Sequence, residues 1–344
     1  MSKKPFFWIG HLALATLVSL AGVPTASAQT PPKPAAKGAS STKPAAKRTP
    51  TRARRPTAAQ RRAAATALEM ADTVVPRYKV DAGGNLVPDL RAAAAIIYDP
   101  DTNEVLWEEN SETERSIASI TKVMTAAVVF ENNPDLSHVV TVARSDVARA
   151  STTHLRLNDK VTIEDLLHLT LIASDNAAAR ALARTSQQGP AGFIDRMNEK
   201  AAELGLTTTH YEDPSGLLSE NVSSAYDLAR LIAFASSDER ISTIMQKSQH
   251  TIQTPRGPIT FRSTNHLLGR EGLDVRAGKT GFISRSGYCL ATLLRLPTTG
   301  QQVAVVVLGA RSNAGRFMEV QNLFNWLAAK TPTVFATQAV TPHD

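Results

Sequence analysis

The chain places strand-like segments at both ends of its folded part and helical segments between them, and this order limits the folds it can adopt. Near the start, apolar residues 92–98 and 104–107 flank a turn-rich stretch, which predicts a β-hairpin. Hairpin patterns return at residues 251–260 and 288–308. Helical spacing occurs at 118–130, 162–171, 176–184, 191–204, 225–235 and 316–327. We therefore predict an α+β fold, in which an antiparallel sheet is flanked by helices and carries an inserted all-helical lobe, with a cleft between sheet and lobe.

Basic charge is concentrated at the start of the chain. Twelve of the 38 Lys and Arg residues precede residue 63, whereas none of the 31 Asp and Glu residues does. This Pro-, Ala- and Lys-rich composition cannot bury enough apolar area to offset its ordering entropy. We predict that residues 29–88 form a basic disordered tail and linker, which either adheres to anionic envelope polymers or acts as a spacer. The remaining chain has more acidic than basic residues, so we expect no nucleic-acid partner.

The first residues have the pattern of a secretory signal. Lys3 and Lys4 precede apolar residues 6–23, and the small residues Ala26-Ser27-Ala28 follow. We predict that residues 1–28 are a signal peptide and that the protein is exported to the periplasm or cell envelope, soluble after cleavage. The alternative is an uncleaved anchor helix, because the apolar run is near the spanning length of about 20 residues. The folded domain would then occupy residues 89–330, followed by a short C-terminal tail at 331–344.

Metal and cofactor sites are not indicated by the sequence. Cys289 is the only cysteine, which excludes an intrachain disulfide and a cysteine-based zinc site. Residues 99–110 begin like a calcium loop, but Glu104 replaces the glycine of its sixth position and Asn110 the glutamate of its twelfth. We therefore expect no metal ion and no cofactor.

Ser119-Ile120-Thr121-Lys122 lies where the first long helix is predicted to begin. Residues three apart on a helix share a face, so the lysine amine can reach the serine hydroxyl. Serine needs a neighbouring base to become a nucleophile, and a buried lysine with a lowered pKa can be that base. The spacing alone is weak evidence, because Ser40–Lys43 repeats it in the tail and an ordinary helix surface also accounts for it.

Two further triplets carry polar groups suited to an anionic substrate. Ser174-Asp175-Asn176 offers a hydroxyl for proton relay and an amide for a substrate carbonyl, although Ser and Asp also favour helix N-caps. Lys279-Thr280-Gly281 offers a charge, a hydroxyl and a residue that allows close backbone approach, although a lysine also keeps a sheet edge soluble. Taken singly, each triplet leaves both interpretations open.

The three motifs in this order resemble those of penicillin-binding proteins and serine β-lactamases. Residues 115–126, 171–178 and 278–288 are similar to segments of the low-molecular-mass D-alanyl-D-alanine carboxypeptidases and endopeptidases, and the resemblance covers about residues 90–328. It implies a β-lactamase/transpeptidase-like fold and a serine peptidase that hydrolyses D-alanyl bonds of peptidoglycan stem peptides, with β-lactams as covalent inhibitors. Only about eighteen residues follow Trp326, so the chain resembles the small soluble endopeptidase branch.

The resemblance also implies roles in catalysis. Ser119 attacks the carbonyl between the two terminal D-alanines and becomes an acyl-enzyme. Lys122 takes its proton and later activates the hydrolytic water, and Ser174 helps to return a proton to the leaving amine. Asn176 positions the substrate. The backbone N–H groups of Ser119 and Phe282 form the oxyanion hole.

At the substrate's carboxylate end, the resemblance implies that Lys279 and Thr280 bind and that Gly281 admits the substrate backbone. Arg311 matches an arginine that the family keeps near this site. Tyr226 stands where many relatives have arginine, which we expect to remove one cationic contact and to favour endopeptidase activity.

Two other functions fit the same motifs. A class A β-lactamase needs a glutamate in a loop between the second and third motifs. Glu199, Glu203 and Glu212 lie in that interval, but none is in a segment that resembles the loop. A wall-binding protein without turnover is the other alternative, and the intact motifs argue against it.

Overall fold

The computed structural model describes residues 57–338 and, within them, all side chains except those at 66, 68–74 and 331–338. The predicted signal peptide and residues 29–56 of the predicted tail lie outside the described residues. The helices are α1 (Ala58–Val74), α2 (Lys122–Glu131), α3 (Arg144–Val147), α4 (Ile163–Ile172), α5 (Asn176–Thr185), α6 (Gly189–Glu203), α7 (Ala225–Ser237), α8 (Glu239–Met245) and α9 (Asn313–Gln338). A 3-10 turn, Ala118–Thr121, leads directly into α2.

The strands are β1 (Tyr78–Val80), β2 (Leu86–Pro88), β3 (Ala94–Asp99), β4 (Glu104–Glu109), β5 (Arg115–Ser116), β6 (Val139–Thr141), β7 (Lys160–Thr162), β8 (Val222–Ser223), β9 (Gln249–Thr254), β10 (Gly257–Arg262), β11 (Asp274–Ile283), β12 (Gly287–Arg295) and β13 (Gln302–Ala310). Five of them form the main sheet, in the order β11-β12-β13-β3-β4, with antiparallel neighbours throughout. The predicted antiparallel sheet is therefore confirmed, and the early hairpin joins it through β3.

Helices cover both faces of this sheet, which explains why β12 and β13 are almost continuously apolar. Ile96 and Val306 point into a core shared with the helices between α2 and α8, which form the inserted lobe. Ile97 and Val305, one residue away on each strand, point into a second core closed by α9. The cleft lies on the first face, where the 3-10 turn packs against the edge strand β11.

Residues 57–88 differ from the linker that the sequence predicts. They form α1 and the antiparallel hairpin β1–β2. Alanine is the strongest helix former, so the Ala-rich stretch that resembles a low-complexity tail also favours α1. The hairpin is attached to the domain, because Lys79 pairs with Glu109 at 2.8 Å and the Trp326 indole donates to the Leu86 carbonyl at 3.3 Å.

No helix within residues 57–338 is both long enough and apolar enough to cross a bilayer.

Candidate active site

The Ser119 turn is held in a strained conformation by two glycines. Ala118, which precedes the serine, has a φ of 48°, a region that L-residues rarely occupy. A Cβ on Gly216 would lie 2.0 Å from the Ala118 carbonyl oxygen, and a Cβ on Gly281 would lie 2.5 Å from the Ile117 carbonyl oxygen. Because only glycine fits at these two contacts, the β11 backbone and the loop at residue 216 both press against the turn and fix the serine.

Lys122 follows one turn later and is completely buried. Its ammonium Nζ lies 3.0 Å from Ser119 Oγ and 2.6 Å from Asn176 Oδ1, and it also donates to the Ser215 carbonyl. No acidic side chain of the described residues lies within ion-pair distance of it. Burial therefore lowers the pKa of Lys122 to about 7, although the more distant Asp213 and Asp175 oppose the shift. The amine can thus act as a base at neutral pH.

The loop from Asp213 to Asn221 builds this environment, and the sequence analysis missed it. The Asp213 carboxylate accepts hydrogen bonds from the backbone N–H groups of Ser215 (2.6 Å), Gly216 (2.8 Å) and Leu218 (2.7 Å), and from the Asn221 amide (2.8 Å). These bonds outweigh burial and hold the pKa of Asp213 below its usual value. Asp-Pro-Ser-Gly is typical of a turn, but nothing local indicates that it packs against Lys122, which is about ninety residues away in sequence.

The Ser174–Asn176 segment lies between α4 and α5, and each of its three residues has a different role. Asp175 is the N-cap of α5, accepting from the Ala178 N–H at 3.0 Å. Ser174 has a φ of 60°, and its hydroxyl accepts from Lys279 Nζ at 2.7 Å. The Asn176 amide donates to the Ala150 carbonyl at 2.7 Å while its oxygen accepts from Lys122. Only Asp175 has the N-cap role that the sequence also allowed for this triplet. Ser174 and Asn176 instead bond to Lys279 and Lys122 in the cleft.

Lys279 and Thr280 lie on β11 and are almost wholly buried. Lys279 Nζ donates to Ser174 Oγ and, at 2.9 Å, to the Thr280 carbonyl, and Thr280 Oγ1 donates to Thr264 Oγ1 at 2.7 Å. Burial, followed by the positive charges of Lys122 and Arg316, holds the pKa of Lys279 well below its usual value. No carboxylate of the described residues pairs with Lys279, so an anionic ligand would supply the counter-charge that the protein lacks.

Arg316, on α9, supports β11 from the other side of the sheet and was not predicted. Its guanidinium donates to the Gly281 carbonyl at 2.9 Å and to the Cys289 carbonyl at 3.2 Å. Burial lowers its pKa to about 10. The contact fixes the backbone at the residue before Phe282, whose N–H is a predicted oxyanion donor.

Two other predicted site residues lie at the margin of the cleft or away from it. Phe282 is half exposed, and its ring stacks on Tyr288 with centroids 4.2 Å apart. Arg311 is exposed after the end of β13, and none of the hydrogen bonds described for residues 57–338 joins it to Lys279 or Thr280.

Tyr226 does not replace a cation in the carboxylate pocket, contrary to the expectation from sequence. Its ring packs edge-on against Tyr98, with centroids 5.9 Å apart, and Arg230 lies 5.8 Å above it. Tyr98 is on β3, three strands and about 14 Å from β11. The Tyr226 side chain therefore lies between α7 and the sheet, beside β3. Comparing the residue type at this position with that of relatives does not show where the side chain points.

The structure thus gathers seven of the nine predicted site residues in one cleft: Ser119, Lys122, Ser174, Asn176, Lys279, Thr280 and Gly281. A hydroxyl beside a buried amine of near-neutral pKa provides a nucleophile and its base. A second buried cation next to it favours an anionic substrate. This chemistry fits acyl transfer from a substrate with a free carboxylate.

The model of a family described as D-alanyl-D-alanine carboxypeptidase matches residues 82–312, which is most of the described chain. The chain belongs to this family. It is a serine-type D-alanyl-D-alanine peptidase, and the predicted fold and enzyme class are confirmed.

Individual relatives agree with this assignment. A D-alanyl-D-alanine endopeptidase of Pseudomonas aeruginosa is 32% identical over 277 residues, covering 79% of this chain and 89% of its own. The crystal structure of the Streptomyces K15 DD-transpeptidase matches with a TM-score of 0.66 at 29% identity, covering 70% of this chain and 98% of that one. Penicillin-binding protein D2 of Listeria monocytogenes, in its cefotaxime-bound form, matches with a TM-score of 0.60 at 30% identity, covering 69% of this chain and 97% of that one.

The two buried lysines predict a bell-shaped pH dependence of kcat/KM for a peptide ending in D-alanyl-D-alanine. Catalysis needs Lys122 neutral, so the rate should rise about tenfold per pH unit up to about 7 and then level off. Binding of the carboxylate needs Lys279 charged, and because its pKa is also lowered, the rate should fall again at higher pH. Initial rates measured from pH 5 to 10 test both limbs.

A Lys279→Arg variant is the control, because a guanidinium keeps its proton to a higher pH than an ammonium in the same site. It should keep the rising limb and move the falling one to higher pH. A wild-type profile without a rising limb near 7 would exclude Lys122 as the base.

Proposed function

We propose that this chain is an exported D,D-peptidase that hydrolyses D-alanyl bonds of peptidoglycan stem peptides through an acyl-enzyme on Ser119. The observation that carries the proposal is the 3.0 Å contact between Ser119 Oγ and the fully buried Lys122, whose pKa is lowered to about 7. A neutral amine in this position removes the serine proton as the hydroxyl attacks the carbonyl. Asn176, which bonds the same amine at 2.6 Å, orients it toward the serine.

The proposed sequence of proton transfers uses the groups around this pair. Attack forms a tetrahedral intermediate bonded to Ser119 Oγ and moves the hydroxyl proton to Lys122, while the N–H groups of Ser119 and Phe282 stabilise its oxyanion. The proton then reaches the leaving amine by way of Ser174, and the C–N bond breaks. This break leaves an ester on Ser119. In the second half, neutral Lys122 takes a proton from water, whose oxygen attacks the ester carbonyl. Lys122 then returns the proton to Ser119 Oγ as the ester C–O bond breaks and the peptide leaves as a carboxylate.

Lys279 and Thr280 are proposed to bind the carboxylate at the substrate's C-terminus. A buried ammonium without a carboxylate partner and a neighbouring hydroxyl form charge-assisted contacts with such a group. Arg311 is proposed to steer this carboxylate from outside the cleft, since it is exposed and forms no ion pair with any described residue.

We propose that cross-linked peptide is the preferred substrate. The Pseudomonas aeruginosa relative, which matches over 79% of this chain, is named an endopeptidase. Lys279 is the single buried cation that bonds to Ser174 and Thr280 within the described cleft. A pocket with one buried cation discriminates less strongly in favour of a free carboxylate than one with several. The β-lactam-bound Listeria protein supports the further proposal that β-lactams acylate Ser119.

The Ser119→Ala variant should lose both peptide hydrolysis and covalent labelling by penicillin, because the nucleophile is gone. Lys122→Arg should be nearly as damaging, since arginine stays protonated and cannot accept the proton. Mass spectrometry after incubation with penicillin measures the labelling.

Ser40→Ala is the matched control, since it removes the serine of the second Ser-x-x-Lys copy and should label normally. Full labelling of Ser119→Ala would overturn the assignment. A penicillin adduct that is released as fast as it forms would favour the β-lactamase alternative.

Cross-linked muropeptide dimers should be cleaved with a kcat/KM equal to or above that for linear pentapeptides. Chromatography of the products of each substrate, offered separately and then in competition, measures the ratio. Efficient trimming of pentapeptides with dimers left intact would show that the enzyme is a carboxypeptidase.

The basic tail is proposed to bind anionic envelope polymers. Its ten cations at residues 29–62 are unaccompanied by acidic residues. Charges exposed to solvent are screened beyond about 8 Å at physiological ionic strength, so sedimentation with envelopes should weaken steeply as salt rises. Deletion of residues 29–55, which removes eight of the ten cations, should strongly weaken this binding and leave hydrolysis of small peptides unchanged. Equal sedimentation of both proteins at every salt concentration would show that the tail is a spacer.

A further inference from the structure

An apolar patch lies on the hairpin β1–β2 and takes no part in the chemistry described so far. Every residue from 75 to 86 is exposed. Of the ten exposed large hydrophobic residues within 57–338, four fall in this short stretch: Val75, Tyr78, Val80 and Leu86. Single exposed apolar side chains are common on folded proteins, whereas a cluster of them marks an interaction surface.

The strand register places three of these side chains on one face of the hairpin. Val80 and Leu86 lie directly opposite each other, and Tyr78 is two residues before Val80 on the same strand. Because alternate residues of a strand point to the same side, the three side chains share a face. The opposite face carries Lys79 and Val87, which contact the domain. The face with Tyr78 therefore points away from the domain.

The groups at the border of this face are suited to the boundary between water and lipid. The Trp326 indole on α9 donates to the Leu86 carbonyl at 3.3 Å, and Lys330 Nζ lies 4.7 Å from the centroid of the Trp326 ring. Aromatic rings and long basic side chains are typical of the headgroup level of a membrane. Asp81, the only acidic residue of the hairpin, accepts a hydrogen bond from the Asn85 N–H at 2.7 Å.

The chain that leads into this hairpin supplies charge complementarity. Residues 29–62 carry ten cations and no acidic residue. They run into α1, which packs against α9 and ends at Val74, close in sequence to β1. A 17-residue helix is about 25 Å long, and residues 29–56 can extend farther than that. A surface that meets both the polycation and the apolar face is anionic outside and apolar beneath.

The order of strands keeps the active site clear of such a surface. The hairpin is attached to β4 through the pair Lys79 and Glu109. β4 and β11 are the two edges of the main sheet, four strand spacings or about 19 Å apart. A surface that binds the hairpin therefore leaves the cleft at β11 accessible to substrate.

We infer that the outer face of hairpin β1–β2 inserts into the headgroup region of an anionic lipid membrane, while the basic tail binds the lipid phosphates. Cations alone bind any polyanion, including wall polymers, whereas exposed apolar side chains gain free energy only where an acyl interior receives them. One apolar and one electrostatic signal together give stable anchoring. The inference goes beyond the proposed function and does not depend on the chemistry of Ser119.

Sedimentation with sucrose-loaded vesicles tests the hairpin. The chain from residue 29 onward is mixed with phosphatidylcholine vesicles that contain about one third phosphatidylglycerol. In the double variant Val80→Ser/Leu86→Ser, the membrane partition coefficient should fall about tenfold or more, because two apolar side chains no longer enter the bilayer. Val139→Ser/Leu157→Ser is the matched control: it makes the same changes at two exposed positions elsewhere and should bind like the wild type. Hydrolysis of a small soluble peptide should be unchanged in both double variants, which shows that they are folded.

Tryptophan fluorescence gives a second measurement. Trp107 and Trp326 are the only tryptophans after residue 29, and Trp107 is buried. Vesicles that contain brominated phosphatidylcholine should therefore quench Trp326 in the wild type. The quenching should be largely lost in Val80→Ser/Leu86→Ser.

Three results would overturn the inference. Equal sedimentation of the hairpin variant and its matched control would show that the apolar face does not insert. A wild type that sediments with purified peptidoglycan but not with vesicles would assign the surface to a wall polymer. Vesicle binding without quenching of Trp326 would show that only the tail contacts the membrane.

Discussion

The removal of Lys122 from water is the interaction on which the site depends. An amine in solvent would be protonated at neutral pH and could not serve as a base. Complete burial lowers its pKa to about 7, and its three hydrogen bonds hold it beside Ser119. This burial needs the sheet, the helical lobe and the loop after Asp213 together, since each contributes one wall. The fold therefore excludes water from the Lys122 amine, and this exclusion lowers its pKa.

The same walls must approach closely, and two glycines allow this. Gly216 and Gly281 bring backbone within a distance of Ala118 and Ile117 that no Cβ would permit. Their contacts offset the strain of the left-handed Ala118, because the turn has no room to relax. The packing of Gly216 and Gly281 against the turn thus maintains the strained conformation of Ala118. This conformation fixes the position of Ser119 in the cleft.

Local patterns are sufficient to predict the sheet and the helical lobe, since hydrophobic periodicity is a property of short segments. The Ser119–Lys122 pair needs the three motifs in order, because Ser40–Lys43 has the same spacing. Local patterns are insufficient for Asp213 and Arg316, whose roles arise from contacts with residues far away in sequence. Tyr226 is a different case. The sequence identifies its position in a motif, but the direction of its side chain depends on a contact with Tyr98 on β3, which the sequence does not show. Helix α1 was missed because an Ala-rich segment satisfies both a low-complexity and a helical interpretation.

The free edge of β11 has a consequence for association. An open strand edge invites pairing with any extended chain, including a second copy of the protein. Most proteins block such an edge with a charged side chain that faces solvent, but here Lys279 is turned inward and buried. The nucleophile turn instead stands over the edge, against Gly281. The turn therefore covers the edge at Gly281 and shortens the stretch of β11 that is open to pairing with another chain.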